Sequence, residues 1–403
     1  MDNHRFLGLI ENSVQSHWEL PAFSDFKGAT YLFKDVACHM EKMHILLAEA
    51  GIKPGNKIAL IGRNSSHWAI CFFGILTYGA VAVPILHDFK PDIIQIFGSE
   101  NEFGDICSHT DIPVVIHMQG CLPPYHNALF PVGMNKFDFL IGRGLTLRRR
   151  FMGWRSEPSF RRRAEHEINT IRSCKFFMGR TDWDKALVSL FNPDAKYFHC
   201  EEALRDSFLN MDKHWVPSSQ DKIKIISVIS NPWYKGVDLI LKTAKLLKQF
   251  TKLDFEWNVF GVSDIRFYEY KYGIVAKNVN VNIRGSVGKE VLVNELCNSS
   301  VYVHPSYIDN SPNSVCEAQL IGIPVLATNV GGIPTLVKDG ETGFLFPAND
   351  PYMLANLIKM VVNDRALSVK LCASEISVAK ARHNPDSIKT TLLNVYNYIL
   401  NEK

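Results

Sequence analysis

The sequence lacks the features that mark membrane-spanning, disulfide-stapled or zinc-binding chains. Its nine cysteines are scattered, odd in number and include no C-x-x-C pair. This pattern favours reduced thiols in a cytosol over disulfides or a zinc site. The apolar patch 6–10 has only five residues, too few for a signal-peptide core or a membrane span. The longest apolar run, 68–86, contains Thr77, Gly79 and Pro84, and we interpret it as a helix, a turn and a buried strand.

The chain also lacks a strong excess of charge of either sign. Its formal net charge is +3 over 403 residues, so any preference for nucleic acid or acidic membranes has to be local. Hydrophobic residues at 46% and charged residues at 21% are typical of a packed soluble protein. Since single cores stop growing near about 250–300 residues, the length predicts more than one domain.

Short β-branched or aromatic runs alternate with helical periodicity along most of the chain, which predicts an α/β fold with doubly wound parallel sheets. The polar, turn-prone segment 217–221 marks a domain boundary. We predict four segments: 1–89, 90–217, 218–385, and a C-terminal helix in 386–403 that returns to the first domain. The predicted strands are 57–61, 80–85, 93–97, 114–118, 174–178, 223–230, 255–260, 279–284, 301–303, 324–327 and 344–346.

The richest stretch of polar residues lies between His304 and Pro347. It contains two acidic residues separated by seven others, Asp309 and Glu317, and then a G-G-x-P turn at 331–334. A D-G-x-T-G-F-L turn follows at 339–345. A strand is predicted before the first acid and a helix from Asn313 onward, and the free N–H groups of a helix start bind phosphate oxygens.

This combination resembles the family-4 glycosyltransferases of the GT-B fold. The resemblance implies two Rossmann-like domains that face a central cleft. It also implies transfer of a sugar from a nucleotide-diphosphate sugar to an acceptor hydroxyl, with retention of the anomeric configuration and without a metal ion. By resemblance Glu317 binds the ribose, and Asp309, where the family more often has glutamate, lies beside the donor sugar. The alternative for 306–313 is a plain turn. The donor-binding residues expected around the helix start are Asn310, Ser311, Asn313, Ser314 and Val315.

Further site residues follow from the same resemblance. Lys235, before Gly236 and the predicted helix 237–250, corresponds to the lysine that grips the donor diphosphate, and its compact cation suits developing leaving-group charge. The family often has an arginine six residues earlier, where this chain has Ile229, so one cation is missing. Gly285 corresponds to the position beside the nucleotide base. Taken without the resemblance, Lys235 is better interpreted as a solvated lysine at a helix start.

The first domain departs from the family at a catalytic position. Gln119 stands before Gly120, where relatives often have a histidine, and we assign the catalytic position to Gln119. His117 points to the same face of its strand and is either a partial substitute or a packed strand histidine.

Two other charged features need an interpretation. Asp182 and Asp184 mimic a D-x-D metal motif, but their place between a strand and a helix indicates helix capping. We predict no metal and no cofactor. Eight arginines lie between Arg143 and Arg163. The part from Arg148 to Arg163 is compatible with peripheral contact to anionic lipid, with a phosphorylated acceptor, or with a solvated basic helix.

Residues 1–89 do not resemble the family-4 glycosyltransferases. The segments 19–30, 51–68 and 76–86 look like the start of an acyl-CoA synthetase of the adenylate-forming superfamily. The superfamily's phosphate loop, later acidic and arginine motifs and lysine-bearing lid have no counterpart here, so we expect no ATP-dependent acid activation. The chain therefore resembles a fusion in which a synthetase fragment replaces the opening strands of the acceptor domain. We expect the unit 57–85 to complete that sheet, and activity to be impaired.

The sequence thus predicts a cytoplasmic retaining glycosyltransferase, at the inner face of the membrane if the basic segment binds lipid. Its partners are a nucleotide-sugar donor and a glycan or lipid-linked acceptor, without nucleic acid. The alternatives are a non-catalytic nucleotide-sugar-binding protein and an acyl-CoA synthetase fragment.

Overall fold

The computed structural model describes residues 6–25, 28–61, 65–85, 91–138, 147–209, 211, 213–217, 222–230 and 233–402, without the side chains at 6, 59, 61, 84–85, 147–156 and 206. The chain divides into two compact units, Met1–Pro91 and Asp92–Lys403.

The first unit is a small α/β segment. Its elements are α1 (Phe6–Ser16), β1 (Pro21–Ser24), β2 (Thr30–Leu32), α2 (Phe33–Glu49), β3 (Lys57–Ile61), α3 (Ser66–Thr77) and β4 (Val81–Ile85). Helix α3 begins where the Ser65 hydroxyl accepts a hydrogen bond from the Trp68 N–H at 3.1 Å, as expected for an N-cap. Val36, Met40 and Ile70 form its small core.

Strands β3 and β4 pair in parallel with each other along their full length and form a two-stranded sheet of their own. The expectation that the unit 57–85 completes the acceptor-side sheet is therefore wrong for the strands that the structure describes. The helix between them returns the chain to the same edge, which satisfies the βαβ rule locally without recruiting a further strand.

The second unit begins with a four-stranded parallel sheet in the order β5-β6-β7-β8. Its elements are β5 (Ile94–Phe97), a 3₁₀ helix (Glu102–Ser108), β6 (Val114–His117), α4 (Leu122–Asn127), α5 (Leu147–Ser173), β7 (Phe176–Gly179), α6 (Asp182–Phe191) and β8 (Lys196–His199). β8 had no counterpart among the predicted strands, because K-Y-F-H is short and only its middle is apolar.

A six-stranded parallel sheet follows, in the order β11-β10-β9-β12-β13-β14. Its strands are β9 (Ile223–Val228), β10 (Phe255–Phe260), β11 (Val281–Gly285), β12 (Val301–His304), β13 (Val325–Thr328) and β14 (Phe344–Phe346). Its helices are α7 (Asp206–Leu209), α8 (Val237–Phe250), α9 (Arg266–Tyr272), a 3₁₀ turn (Ala276–Val279), α10 (Lys289–Cys297), α11 (Asn313–Ile321), α12 (Ile333–Leu336), α13 (Pro351–Asn363), α14 (Arg365–Arg382) and α15 (Pro385–Asn401).

Each of the two sheets of the second unit is covered on both faces, as parallel sheets require. Helices α8 and α13 cover one face of the six-stranded sheet, and α10 and α11 cover the other. Phe208 and Trp215 pack into this second core, although they precede the predicted boundary at 217. The C-terminal helix α15 packs Val395 and Ile399 against β6 and β7 of the four-stranded sheet.

Candidate active site

The strand order of the larger sheet places two loops side by side. β9 and β12 are neighbours, while the chain continues from β9 toward β10 on one side and from β12 toward β13 on the other. Ligands of open α/β sheets bind in the crevice outside the carboxyl ends of strands at such a switch point. The loop that carries Lys235 follows β9, and the loop that carries Asp309 follows β12.

Glycines allow the backbone segments of this site to approach each other closely. Gly236 has φ +75°, and a Cβ at this position would lie 1.9 Å from the Pro305 carbonyl oxygen. Gly331 has φ +54°, and a Cβ there would lie 1.9 Å from the Asp309 carbonyl oxygen. That carbonyl accepts the Gly332 N–H at 3.0 Å. Only glycine fits at both positions, because a Cβ would clash with a backbone carbonyl. The K-G pair and the G-G turn therefore pack closely against the loop that carries Asp309.

Asp309 is the centre of a buried polar network. Its Oδ2 pairs with the Lys235 Nζ and lies 2.8 Å from His304 Nε2. The Ser306 hydroxyl lies 3.0 Å from the same His304 nitrogen. On the other side, the Tyr125 hydroxyl donates to Asp309 Oδ1 at 3.3 Å. The Asp309 carboxylate is therefore held by groups from both sheets of the second unit.

The charge states in this network follow from burial and from the cation. Burial lowers the pKa of His304 and outweighs the opposite effect of Asp309, which leaves the imidazole neutral at pH 7. Burial alone would raise the pKa of Asp309, but Lys235 and His304 outweigh it and hold the pKa below its ordinary value. Asp309 is therefore an anion whose charge is already balanced by Lys235.

Glu317 lies one turn into α11 and is only 3% exposed. Arg205 donates to its Oε1 from Nε at 2.9 Å and from Nη2 at 2.6 Å. Burial raises the pKa of Glu317 despite this arginine. The Tyr302 hydroxyl lies 3.3 Å from His304 Nδ1, and the pKa of Tyr302 is raised by burial and further by Glu317 and Asp309. Both carboxylates are thus buried and act on Tyr302.

The start of α11 has no side-chain cap, since its N-cap residue is Pro312. The Val315 N–H bonds to the Pro312 carbonyl at 3.0 Å, and the Val315 side chain lies in the core. Ser311 is buried, and Ser314 lowers the pKa of Tyr302 against the larger effect of burial. The Val315 N–H is therefore already engaged within the protein.

Asn310 faces the other sheet. Its side chain accepts from the Thr181 hydroxyl at 2.6 Å and donates to Asp184 Oδ2 at 3.1 Å and to the Gln119 carbonyl at 3.3 Å. Thr181 caps α6 through the Asp184 N–H, and Asp184 is fully buried. The predicted donor residue Asn310 thus links the loop after β12 to residues that follow strands of the four-stranded sheet. Asp184, which we expected only to cap a helix, is one of these residues.

The remaining residues that the sequence singled out make other contacts. Gln119 donates its side-chain amide to Glu202, and His117 bonds to the Cys200 carbonyl at 3.2 Å, as a packed strand histidine does. Ile229 is buried in the larger core. Gly285 ends β11 and accepts the Gly261 N–H at 2.7 Å; its described contacts do not reach Lys235 or Asp309.

Several contributors escaped sequence reasoning, namely Tyr125, Arg180, Glu202 and Arg205. Arg180 and Glu202 closely follow the carboxyl ends of β7 and β8, and this placement is the signal that could have revealed them. Residues 143–146 of the arginine-rich segment, and the side chains of 147–156, lie outside the described residues. Within the described part, no group of three or more acidic, histidine or cysteine side chains is placed to hold a metal ion.

None of the described helices combines the length and the hydropathy that crossing a membrane requires.

Two protein families match this chain. Residues 212–377 match "Glycosyl transferases group 1" and residues 10–123 match "AMP-binding enzyme". Both predicted resemblances are confirmed, and the second match extends beyond the expected 89 residues.

Curated relatives match within a limited part of the chain. A D-inositol 3-phosphate glycosyltransferase of Streptomyces avermitilis is 41% identical over 103 residues, which are 26% of this chain and 21% of that protein. The capsular polysaccharide biosynthesis glycosyltransferase CapM of Staphylococcus aureus is 30% identical over 105 residues, 26% of this chain and 28% of that protein. The chain therefore spans well under half the length of these relatives.

Solved structures resemble a larger part. Sucrose-phosphate synthase from Thermosynechococcus elongatus superposes with a TM-score of 0.58 at 15% identity, over 77% of this chain and 74% of that one. Anabaena HepE, solved with UDP and glucose, gives 0.54 at 11% identity, over 89% and 95%. These similarities confirm the predicted α/β fold with parallel sheets.

Proposed function

We propose, from the match of residues 212–377 to the family "Glycosyl transferases group 1", that the chain is a retaining, metal-independent glycosyltransferase. It moves a sugar from a nucleoside diphosphate sugar to an acceptor hydroxyl in polysaccharide or glycolipid synthesis. The observation that carries the proposal is the buried ion pair of Lys235 with Asp309, followed by a buried Glu317 one turn into α11.

Each of these groups has a task in this chemistry. The bond between the anomeric carbon and the diphosphate oxygen breaks, and the acceptor oxygen bonds to that carbon on the same face. The acceptor proton passes to the leaving phosphate oxygen. Lys235 and the uncapped start of α11 stabilise the negative charge that grows on the diphosphate, and the Asp309 carboxylate stabilises positive charge at the anomeric carbon.

The nucleoside end is assigned to Glu317. A buried carboxylate can accept two hydroxyl hydrogen bonds from a ribose, each worth about 1.5–3 kcal/mol. Arg205 now bonds to one oxygen of this carboxylate, but its side chain is 53% exposed, so it can move aside when a ribose binds. The HepE structures contain UDP and UDP-glucose, which makes uridine the first base to test.

A second candidate is a nucleotide-sugar-binding protein without turnover. The observation that favours it is the buried Ile229, which stands where the family often has an arginine. Lys235 is then without a second cation beside it to bind the donor diphosphate. The AMP-binding match of 10–123 supports no third function here, because the later motifs of adenylate formation are absent from the sequence.

Calorimetric titration of the full chain with UDP-, GDP- and ADP-glucose, together with an assay of nucleoside diphosphate release in the presence and absence of EDTA, tests both candidates. We expect binding of one donor and slow, EDTA-insensitive release, which Asp309→Asn abolishes and the exposed control Asp111→Asn leaves intact. Binding without release supports the second candidate. If none of the sugar nucleotides binds, both are wrong.

A further inference from the structure

A polar cluster extends from the acceptor-side sheet to the start of α11. The Arg180 guanidinium, which follows β7, donates from Nη1 to Asn313 Oδ1 at 3.2 Å. The same Nη1 lies 3.2 Å from Glu202 Oε2, and Glu202 accepts from the Gln119 amide. Because Asn313 is the first residue of α11, the Arg180 guanidinium lies beside the helix start that we assign to the donor diphosphate.

Arg180 is unusually buried for an arginine whose hydrogen bonds are incomplete. The residue is 3% exposed, and its Nε forms no hydrogen bond with the described residues. Buried polar groups in native proteins are nearly always hydrogen-bonded, so an unpaired, buried guanidinium N–H calls for an acceptor that the protein itself does not supply.

Arg180 is also the permanent cation of this cluster. Burial lowers the pKa of His117, and the nearby Arg180 lowers it further against the opposite effect of Glu202, so His117 is neutral at pH 7. On the donor side, Ile229 stands where relatives often have an arginine, and its side chain lies in the hydrophobic core. Lys235, for its part, is already paired with Asp309.

We propose that Arg180 binds the diphosphate of the nucleotide donor and supplies, from the acceptor-side lobe, the second cation that Ile229 cannot provide. The proposal rests on the proposed function. Without a donor, Glu202 holds the Arg180 guanidinium in place through their ion pair. When the donor binds, its diphosphate oxygens replace part of this ion pair. An arginine suits this role because its planar fork donates two hydrogen bonds to phosphate oxygens.

The test compares UDP with UMP as calorimetric probes of the full chain. Arg180→Gln should weaken UDP binding ~10-fold or more, as the loss of one charge-assisted bond implies. UMP, which lacks the β-phosphate, should lose much less. The matched control is Arg382→Gln. Arg382 also bonds to α11, through Gln319, but near the other end of the helix, so its removal should lower stability without changing the UDP-to-UMP affinity ratio.

A second variant keeps the test decisive if Arg180→Gln does not fold. Glu202→Gln removes the competing negative charge while it preserves the shape, and it should strengthen UDP binding severalfold more than UMP binding. An unchanged UDP-to-UMP ratio in either folded variant overturns the role of Arg180. Failure of the wild-type chain to bind any nucleoside diphosphate overturns the proposed function instead, so the two failures are distinguishable.

Discussion

Lys235 and Asp309 form an ion pair across 74 positions of sequence, with only 12% and 8% of their side chains exposed. The pair lies where the loops after β9 and β12 meet. Removal of the lysine would leave Asp309 as an almost fully buried, uncompensated carboxylate beside a neutral imidazole.

We therefore expect Lys235→Met to lower the free energy of unfolding by about 3 kcal/mol and to abolish detectable sugar transfer. Urea denaturation followed by tryptophan fluorescence measures the first effect. The control is Lys222→Met, which breaks the pair with Glu256, where the lysine is 48% exposed; it should cost less than about 1 kcal/mol. Equal losses for both variants would contradict the buried-pair interpretation.

Gly331→Ala should destabilise the chain through a specific clash. Gly331 and Gly273 have similar left-handed φ angles, +54° and +62°, so alanine costs about 1–2 kcal/mol of backbone strain at each. Only at Gly331 would the Cβ also meet the Asp309 carbonyl oxygen, at 1.9 Å; at Gly273 nothing lies within 4 Å. Thermal unfolding should show a clearly lower Tm for Gly331→Ala. Similar Tm values would mean that the loop of Asp309 moves aside freely.

Glu317→Gln should weaken nucleotide binding through the ribose alone. We expect UDP affinity to fall about tenfold, while the affinity for 2′,3′-dideoxyuridine diphosphate, which has no hydroxyls for this carboxylate, stays nearly the same. Calorimetry with both ligands measures the difference, and the exposed Glu290→Gln serves as control. A parallel loss for both nucleotides would assign Glu317 to a purely structural role with Arg205.

Stability should also depend on pH through Glu375, which is fully buried in α14. Burial raises the pKa of Glu375 well above its ordinary value of 4.5. The folded state therefore binds this proton more tightly than the unfolded chain does. Stability is complete below 4.5 and falls as the pH rises through the folded pKa, by at most about 1.4 kcal/mol per pH unit.

Glu375→Gln removes this titration and keeps the oxygen that accepts the Val325 N–H at 3.1 Å. We expect the free energy of unfolding of this variant, measured in urea at several pH values, to increase relative to that of the wild type as the pH rises from about 5 to about 9. The exposed control Glu341→Gln should run parallel to the wild type. If the pH dependence of the free energy of unfolding of Glu375→Gln ran parallel to that of the wild type, ionisation of the Glu375 carboxyl would not destabilise the folded state.

Local pattern alone determined much of this protein. The periodicity of the chain predicted β10, β14 and α8 at their observed bounds, because the hydrophobic periods of helices and strands depend only on residues close together in the sequence. The spacing of Asp309, Glu317 and the G-G turn predicted the donor motif, because these residues follow one another from the loop after β12 to the turn after β13. The missed strand β8 and hairpin β1–β2 are short, so their local signal is weak.

Only the tertiary structure decided which distant groups meet. No local signal indicates that Arg205 pairs with Glu317, that Asn310 bonds to Thr181, or that Arg180 reaches the start of α11, since each contact joins residues more than 100 positions apart. Likewise, the β3–β4 pair has the composition of a sheet interior, yet strand pairing is a non-local contact, and this pair forms its own sheet. Residue spacing encodes local geometry, whereas such pairings depend on how whole elements pack.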